Sequence, residues 1–293
     1  MDNMFGILFA LISTMTWSYS TILYKRISSK VSLIDIVIIN SLIGFLLMFL
    51  LSVIFRKNLM VENTALYKMA ISGIIGIAVA DTLFYKSLKF LSAVALQIVF
   101  LVIPLFYGFL GYVYLNETPS LYNILGFFII IIGIILNTCH ADKNKLNIKL
   151  KFHGLILAIL SFICMSYSMV ITKPLFSDWS VMVVTAYRSF FGGLALLIIS
   201  ILTNRFKSIT FTETETAKLK QVISVAFLYN IGGTLCSMLA VKYCHLFTVS
   251  SIMVLEPIFT LLFLICFYKH KPLPKEILNI FLIVFGIILM TIF

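Results

Sequence analysis

Apolar runs of about twenty residues follow one another from end to end of this chain, and that pattern sets most of what it can fold into. Wound as a helix at about 1.5 Å per residue, such a run spans the ~30 Å hydrocarbon core of a bilayer. Ten runs are readable, at 5–24, 34–55, 69–88, 92–113, 120–138, 154–174, 181–202, 222–241, 248–268 and 275–293. They are too long for barrel strands and do not alternate polar with apolar residues. Helices remain, because inside lipid every backbone donor and acceptor must be satisfied within the protein. A soluble domain is excluded by supply: 61% of the 293 residues are hydrophobic and only 11% are charged, too few to cover a core of that size.

The chain also repeats itself. A shift of 148 aligns Ser13 with Ser161, Tyr19 with Tyr167, Lys25 with Lys173 and Gly44 with Gly192. Further on the shift is 153, and aligns Lys89 with Lys242, Pro104 with Pro257, Pro119 with Pro272 and Gly133 with Gly286. The change of five falls in a longer polar loop of the second copy, around 203–219. The expected organisation is a first five-helix repeat at 1–138, a polar linker at 139–153 and a second five-helix repeat at 154–293. Five spans is an odd number, so the second copy enters the membrane upside down relative to the first. The expected fold class is therefore an all-α integral membrane protein of ten transmembrane helices in two inverted five-helix repeats. Inverted repeats let one sequence plan take two slightly different packings, whose exchange opens a central cavity to one side and then the other.

The net charge of +11 does not point to nucleic acid, because the lysines and arginines sit in short connections between apolar runs and form no basic stripe. With ten spans both termini share a side. Connections after odd-numbered spans carry most of the cations, including Lys25, Arg26, Lys30, Lys143, Lys145, Lys149, Lys151, Arg205 and Lys207, while those after even-numbered spans carry mainly Arg56, Lys57 and Lys68. By the positive-inside rule that charge favours termini outside. The start, Met1-Asp2-Asn3-Met4, lacks a positive leader, so the first run is expected to be a retained helix. The five cysteines form no CxxC pair and read as inert thiols, with no metal site.

Ionisable side chains inside spans mark function by default, since each costs about 2.5–3.5 kcal/mol at a helix centre. Glu256 stands beside Pro257, which removes a backbone donor. It suits a cation, a proton or an amine, or else serves as a structural acid. Arg188 suits a carboxylate or phosphate through its planar fork, or an ion pair with Glu256 or Asp81. Asp81 lies deep in span three. The repeated cluster Trp17-Ser18-Tyr19-Ser20, matched by Met165-Ser166-Tyr167-Ser168, reads as helix packing or as a cavity lining, which Tyr85, Gln97, Tyr187, Tyr229 and Asn230 would join. Glycine pairs, among them Gly232-Gly233 in mid-span, read as close packing or a hinge. No phosphate-cradling loop, HExxH or other catalytic constellation is present, and no cofactor is expected.

Met15-Thr16-Trp17-Ser18 early in the first helix, the block Gly108-Phe109-Leu110-Gly111-Tyr112-Val113-Tyr114-Leu115-Asn116-Glu117-Thr118-Pro119 and the Glu256-Pro257 pair resemble the drug/metabolite transporter superfamily, and within it the EamA-type carriers. The fourth helix of that family often ends in Leu-Gly-Glu. Leu115-Asn116-Glu117 departs from it by Asn for Gly, and the second copy, Lys269-His270-Lys271, departs further. The resemblance covers nearly the whole chain. It implies a carrier in the cytoplasmic membrane that moves amino acids, other metabolites or drugs, commonly outward, with cytoplasmic termini. The expectation is a secondary transporter, exporting a small-molecule substrate by alternating access, with protons as a candidate coupling ion. The alternatives are a non-transporting receptor or assembly component, and an intramembrane enzyme on a lipid-linked substrate.

Overall fold

The computed structural model describes residues 2–27, 33–87, 90–91, 99–141, 152–202, 213–268 and 281–289. Helix dominates throughout, as the apolar runs require. We number the helices in chain order. α1 is Asp2–Ile27 and α2 is Leu33–Ile54. α3 begins as Asn63–Gly73, widens into a π-helical turn at Ile74–Val79 and continues as Ala80–Ser87. α4 is Ile103–Leu115 and α5 is Leu121–Ala141. α6 is Phe152–Thr172, prolonged by a 3-10 turn at Lys173–Phe176, and α7 is Val181–Leu202. α8 begins as Glu213–Leu228, passes through a π-helical turn at Tyr229–Leu235 and ends as Cys236–Tyr243. α9 is Leu246–Met253 followed by Glu256–Tyr268, and α10 is described over 281–289. Among the described residues, five segments have the length and apolarity to cross a membrane: Asp35–Ile54, Asn63–Phe84, Phe152–Phe176, Val181–Leu202 and Gln221–Tyr243.

Each apolar run of the sequence carries helix, with differences at the ends. α8 starts nine residues before its apolar run, because the glutamates, lysines, alanine and leucine of Glu-Thr-Glu-Thr-Ala-Lys-Leu-Lys are good helix formers even though the stretch is polar. Among the described residues four of the apolar runs are interrupted, and the interruptions match between the halves. The π-helical turns fall in the third and eighth helices and overlap when the copies are aligned. The breaks in the fourth and ninth runs, at Leu101–Val102 and Val254–Leu255, differ by the same 153 residues that relate Pro104 to Pro257. Their hydrogen bonds match as well: Val102 N–H reaches the Val99 carbonyl and Leu105 N–H the Val102 carbonyl, as Leu255 reaches Ile252 and Ile258 reaches Leu255. A proline just inside a helix start has no amide to leave unsatisfied, so both breaks sit where proline tolerates them.

Packing runs between halves and obeys the same exchange. α2 lies along α7, and α4 along the start of α9. α1 packs on the second part of α8 as α3 packs on α6, and α1 meets α9 as α6 meets α4. Gly133 of α5 rests on Ile283 of α10, while the matched Gly286 rests on the Gly126 backbone of α5. Aromatic contacts repeat too: Tyr19 meets Phe267, and its counterpart Tyr167 meets Tyr114, the counterpart of Phe267.

At one end of the bundle the connections between helices are described. The Cys244 thiol donates to Asn3 Oδ1 (2.9 Å), placing the start of α1 beside the α8–α9 connection. The Tyr187 hydroxyl donates to the Leu59 carbonyl (3.0 Å), tying α7 to the 55–62 connection. Glu117 pairs with Lys173 and accepts from the Leu246 N–H (2.7 Å), while Lys173 also donates to the Cys244 carbonyl. Four connections and the chain start thus gather on one side, here called the N-terminal face. Asn116 makes this possible. It adopts a left-handed backbone (φ 55), ends α4 and turns Glu117 inward. Glycine adopts that conformation freely and asparagine is among the few other residues that visit it, which explains how Asn116 stands where the resembled family often has glycine.

Candidate functional site

The site grows from one residue whose placement costs free energy. Arg188 lies seven residues into α7 from the N-terminal face, in a run that is otherwise apolar, and only 4% of its surface is exposed. Helices from both halves enclose it. Nη2 donates to Ser168 Oγ on α6 (2.9 Å), and Nη1 points at Met238 Sδ on α8 (3.1 Å). The Ser168 hydroxyl gives its own proton to the Ser72 carbonyl on α3 (2.7 Å), so its oxygen is a genuine acceptor for the guanidinium. Tyr107 of α4 is buried nearby. Nε is buried without a partner. Among the described residues the one ion pair is Glu117–Lys173, so the expected pairing of Arg188 with Glu256 or Asp81 is not found.

Room for this arginine comes from glycine. A Cβ on Gly73 would overlap the Arg188 backbone, and one on Gly76 would overlap Ser168 Oγ. The π-helical turn of α3 begins between them, so the widened part of the helix lies against the guanidinium. π-turns of this kind recur at functional sites.

The repeat predicts a twin. Shifting Arg188 and Ser168 back by 148 gives Asn40 and Ser20. Asn40 lies seven residues into α2 from the opposite end of the bundle. It meets the π-helical turn of α8 through Asn230, whose Nδ2 donates to Asn40 Oδ1 (2.9 Å) and to the Ala226 carbonyl (2.9 Å). Ser20 Oγ, the counterpart of the serine that Arg188 takes up, is buried without a partner. The two niches share a backbone plan, but one holds a neutral amide pair and the other an unpaired charge.

The remaining candidates are distributed around this centre. Trp17 stacks on Tyr229 (5.9 Å between ring centres), its indole N–H is buried without a partner, and Gly233 of the α8 π-turn touches the indole so closely that a Cβ would overlap it. The mid-span pair Gly232-Gly233 therefore sits in a widened turn pressed on Thr16 and Trp17. Glu256 opens the second part of α9 at its break, and its carbonyl accepts from the Ser18 hydroxyl (2.9 Å). Asp81 lies just past the α3 π-turn, partly exposed. Tyr187 faces the N-terminal face, while Tyr19 meets Phe267 on the far part of α9 with its ring tilted and Tyr167 meets Tyr114 on the far part of α4 edge-on. Gln97 and the side chain of Tyr85 lie outside the described residues. Sequence reasoning missed Ser168 and Met238 as partners of Arg188, and Tyr107 as its neighbour. It quoted Glu117 in a motif and Lys173 in the repeat without joining them.

Two clefts open beside one another on the N-terminal face. One, of about 480 Å³, is lined by Lys57, Asn58, Asp178, Val181, Leu235, Leu239 and Lys242 among others. The second, of about 450 Å³, includes Glu117 and Lys173 and shares Phe176, Ser177 and Lys242. Leu235 and Leu239 stand on α8 beside Met238, so the first cleft reaches the neighbours of the residue that Arg188 Nη1 meets.

Comparison with known proteins adds an independent line. A family model described as the EamA-like transporter family matches the chain twice, over residues 4–139 and over residues 152–292. A solved structure, described only as the crystal structure of a protein, matches with TM-score 0.77 at 14% identity, covering 98% of this chain and 96% of that chain. At that identity the likeness is one of fold. Among curated proteins none matches.

Proposed function

Because this chain belongs to the EamA-like transporter family, we propose that it is a secondary transporter that exports a small metabolite, amino acid or drug across the cytoplasmic membrane by alternating access. The observation that carries this reading is the matched set of interruptions: π-helical turns in α3 and α8, and breaks leading into α4 and within α9. Broken helices at the interface of two repeats are where carriers hold substrate, because unwound backbone in lipid persists only around protein or a cavity. The reading takes ten spans in two inverted repeats, 1–138 and 154–293, joined by the 139–153 linker, with both termini cytoplasmic. A reporter fused to the C-terminus tests that orientation: activity that requires export overturns it.

In this scheme Arg188, Trp17, Tyr229 and Asn230 bound the central region, and Glu256 and Asp81 are candidates for a proton or an amine. The Glu117–Lys173 pair, with the Leu246 amide and the Cys244 carbonyl, fastens the first half to the second at the N-terminal face. It supports a state in which that face is held shut, since opening would separate a largely buried ion pair.

The decisive experiment is flux in proteoliposomes made with the full chain. Expected is counterflow of at least one member of a metabolite panel, driven by its own gradient or by a pH gradient and blocked when the halves are cross-linked. No flux for any member under any gradient would leave a non-transporting membrane component. Proton coupling is read separately, as loss of pH-driven flux in Glu256→Gln with counterflow retained.

A further inference from the structure

The guanidinium of Arg188 carries five N–H donors and one full positive charge. What it meets inside the bundle is a hydroxyl oxygen and a thioether sulfur, the latter a weak acceptor, and Nε meets nothing. A charge in that setting is retained when something outside the protein completes it. The fold itself does not ask for a charge, because the matched position on α2 is the neutral Asn40 with its amide partner. We propose that the Arg188 niche is the docking point for a carboxylate of the transported solute, and that the substrates are small organic acids. The proposal rests on the transport reading above and names its substrate class.

Charge and shape choose the carboxylate. One guanidinium and one carboxylate cancel, and the planar fork formed by Nε and its neighbouring amino group fits two carboxylate oxygens at once. A phosphate ester carries about −1.5 to −2 and would leave excess negative charge in a low-dielectric site. The approach is marked too. Lys57 and Lys242 line the cleft on the N-terminal face and outnumber Asp178 there, since Glu117 is neutralised by Lys173. A positive mouth concentrates anions. From its floor, Val181 stands two helical turns above Arg188, about 10 Å along α7. Met238, between Leu235 and Leu239, is the lid that has to move, and an unbranched thioether side chain moves with little resistance.

The test uses the purified full chain and needs no flux. Short-chain monocarboxylates and α-amino acids, each beside its primary amide, are titrated against thermal stability and tryptophan fluorescence. Expected is at least one acid that binds about tenfold more tightly than its amide, with the preference abolished in Arg188→Met. Equal binding of every acid and amide by the wild-type protein overturns the proposal, as does an acid preference that survives in Arg188→Met. The wild-type comparison decides the matter should that variant fold poorly. Tighter binding of phosphate esters than of any carboxylate also overturns the carboxylate assignment. The two readings fail separately: flux of neutral or cationic solutes without acid preference removes this proposal and keeps the carrier, whereas acid-selective binding without flux keeps the niche and removes the carrier.

Discussion

The Arg188 niche and the Asn40 niche occupy matched places in the two halves, near opposite ends of the bundle, and they are built alike. Each sets a polar residue seven positions into the second helix of its repeat against the widened turn of a third helix from the other half. They part in chemistry. Asn230 and Asn40 bond each other across the interface and leave only Ser20 without a partner. Arg188 reaches further, takes up the matched serine, Ser168, and still keeps an unused donor. The difference separates what the architecture requires from what has been added to it. In one half the crossing is closed by two neutral amides, and in the other it carries a full charge.

That comparison can be broken most forcefully at Arg188 itself. A buried charge without a counter-ion carries a desolvation penalty that an apolar side chain of similar volume avoids. Removing a charged partner from a ligand costs about 2–5 kcal/mol. Arg188→Met is therefore expected to hold or raise the melting temperature while flux of an acidic substrate falls about 100-fold. A large fall in stability would mean that the arginine is structural. Glycine comes next. Gly73→Ala presses a methyl group on the Arg188 backbone, which has nowhere to go, and is expected to destabilise by about 1–3 kcal/mol in thermal unfolding. On the other side, Gly44→Ala meets the end of the Asn230 side chain, which can turn away, and should cost less. Asn230→Ala removes the amide bond to Asn40 and should cost about 1 kcal/mol in thermal unfolding while the preference for an acid over its amide survives, the reverse of the pattern at Arg188.

The smallest effect lies at the N-terminal face. Burial pushes the Cys244 thiol up to about 11; Lys173 pulls it down and Glu117 adds to the rise. An unfolded thiol titrates near 8.5, so the folded protein holds the proton more tightly. Stability from this group is complete below about pH 8.5 and declines as pH climbs towards 11. At pH 8 the thiol should alkylate slowly. An acidic substrate that opens this face should speed alkylation in the wild type and not in Arg188→Met, which ties the reporter to the charged niche.

How much of this could be read beforehand follows from what each feature depends on. The helices and the duplication depend on local apolarity and spacing, so ten runs and the pairs Tyr19/Tyr167 and Gly133/Gly286 were plain. The break at Val254–Leu255 was half-visible through Pro257, and its twin at Leu101–Val102 through Pro104. The π-helical turns were not visible, because a widened turn is a choice of hydrogen-bond register that Ile74–Val79 does not advertise in composition. Arg188 stood out as a charge in an apolar run, but its partners Ser168 and Met238 come from other helices and carry no mark of that role. Glu117 and Lys173 are 56 residues apart, and only the left-handed turn at Asn116 brings the carboxylate to the ammonium.

A widened turn holds one residue more than an ordinary one, and each residue advances a helix by about 100°. Were the bulge of α3 to migrate past Gly76, the stretch it crossed would swing by that angle, with hydrogen bonds exchanged and none lost in sum. The glycine facing Ser168 would be carried off that helix and a bulkier neighbour brought round in its stead. α8 could make the same step beside Trp17. Two such bulges, one in each half, would give the bundle a pair of azimuthal ratchets: discrete rotations about helix axes that leave the helix ends where they are.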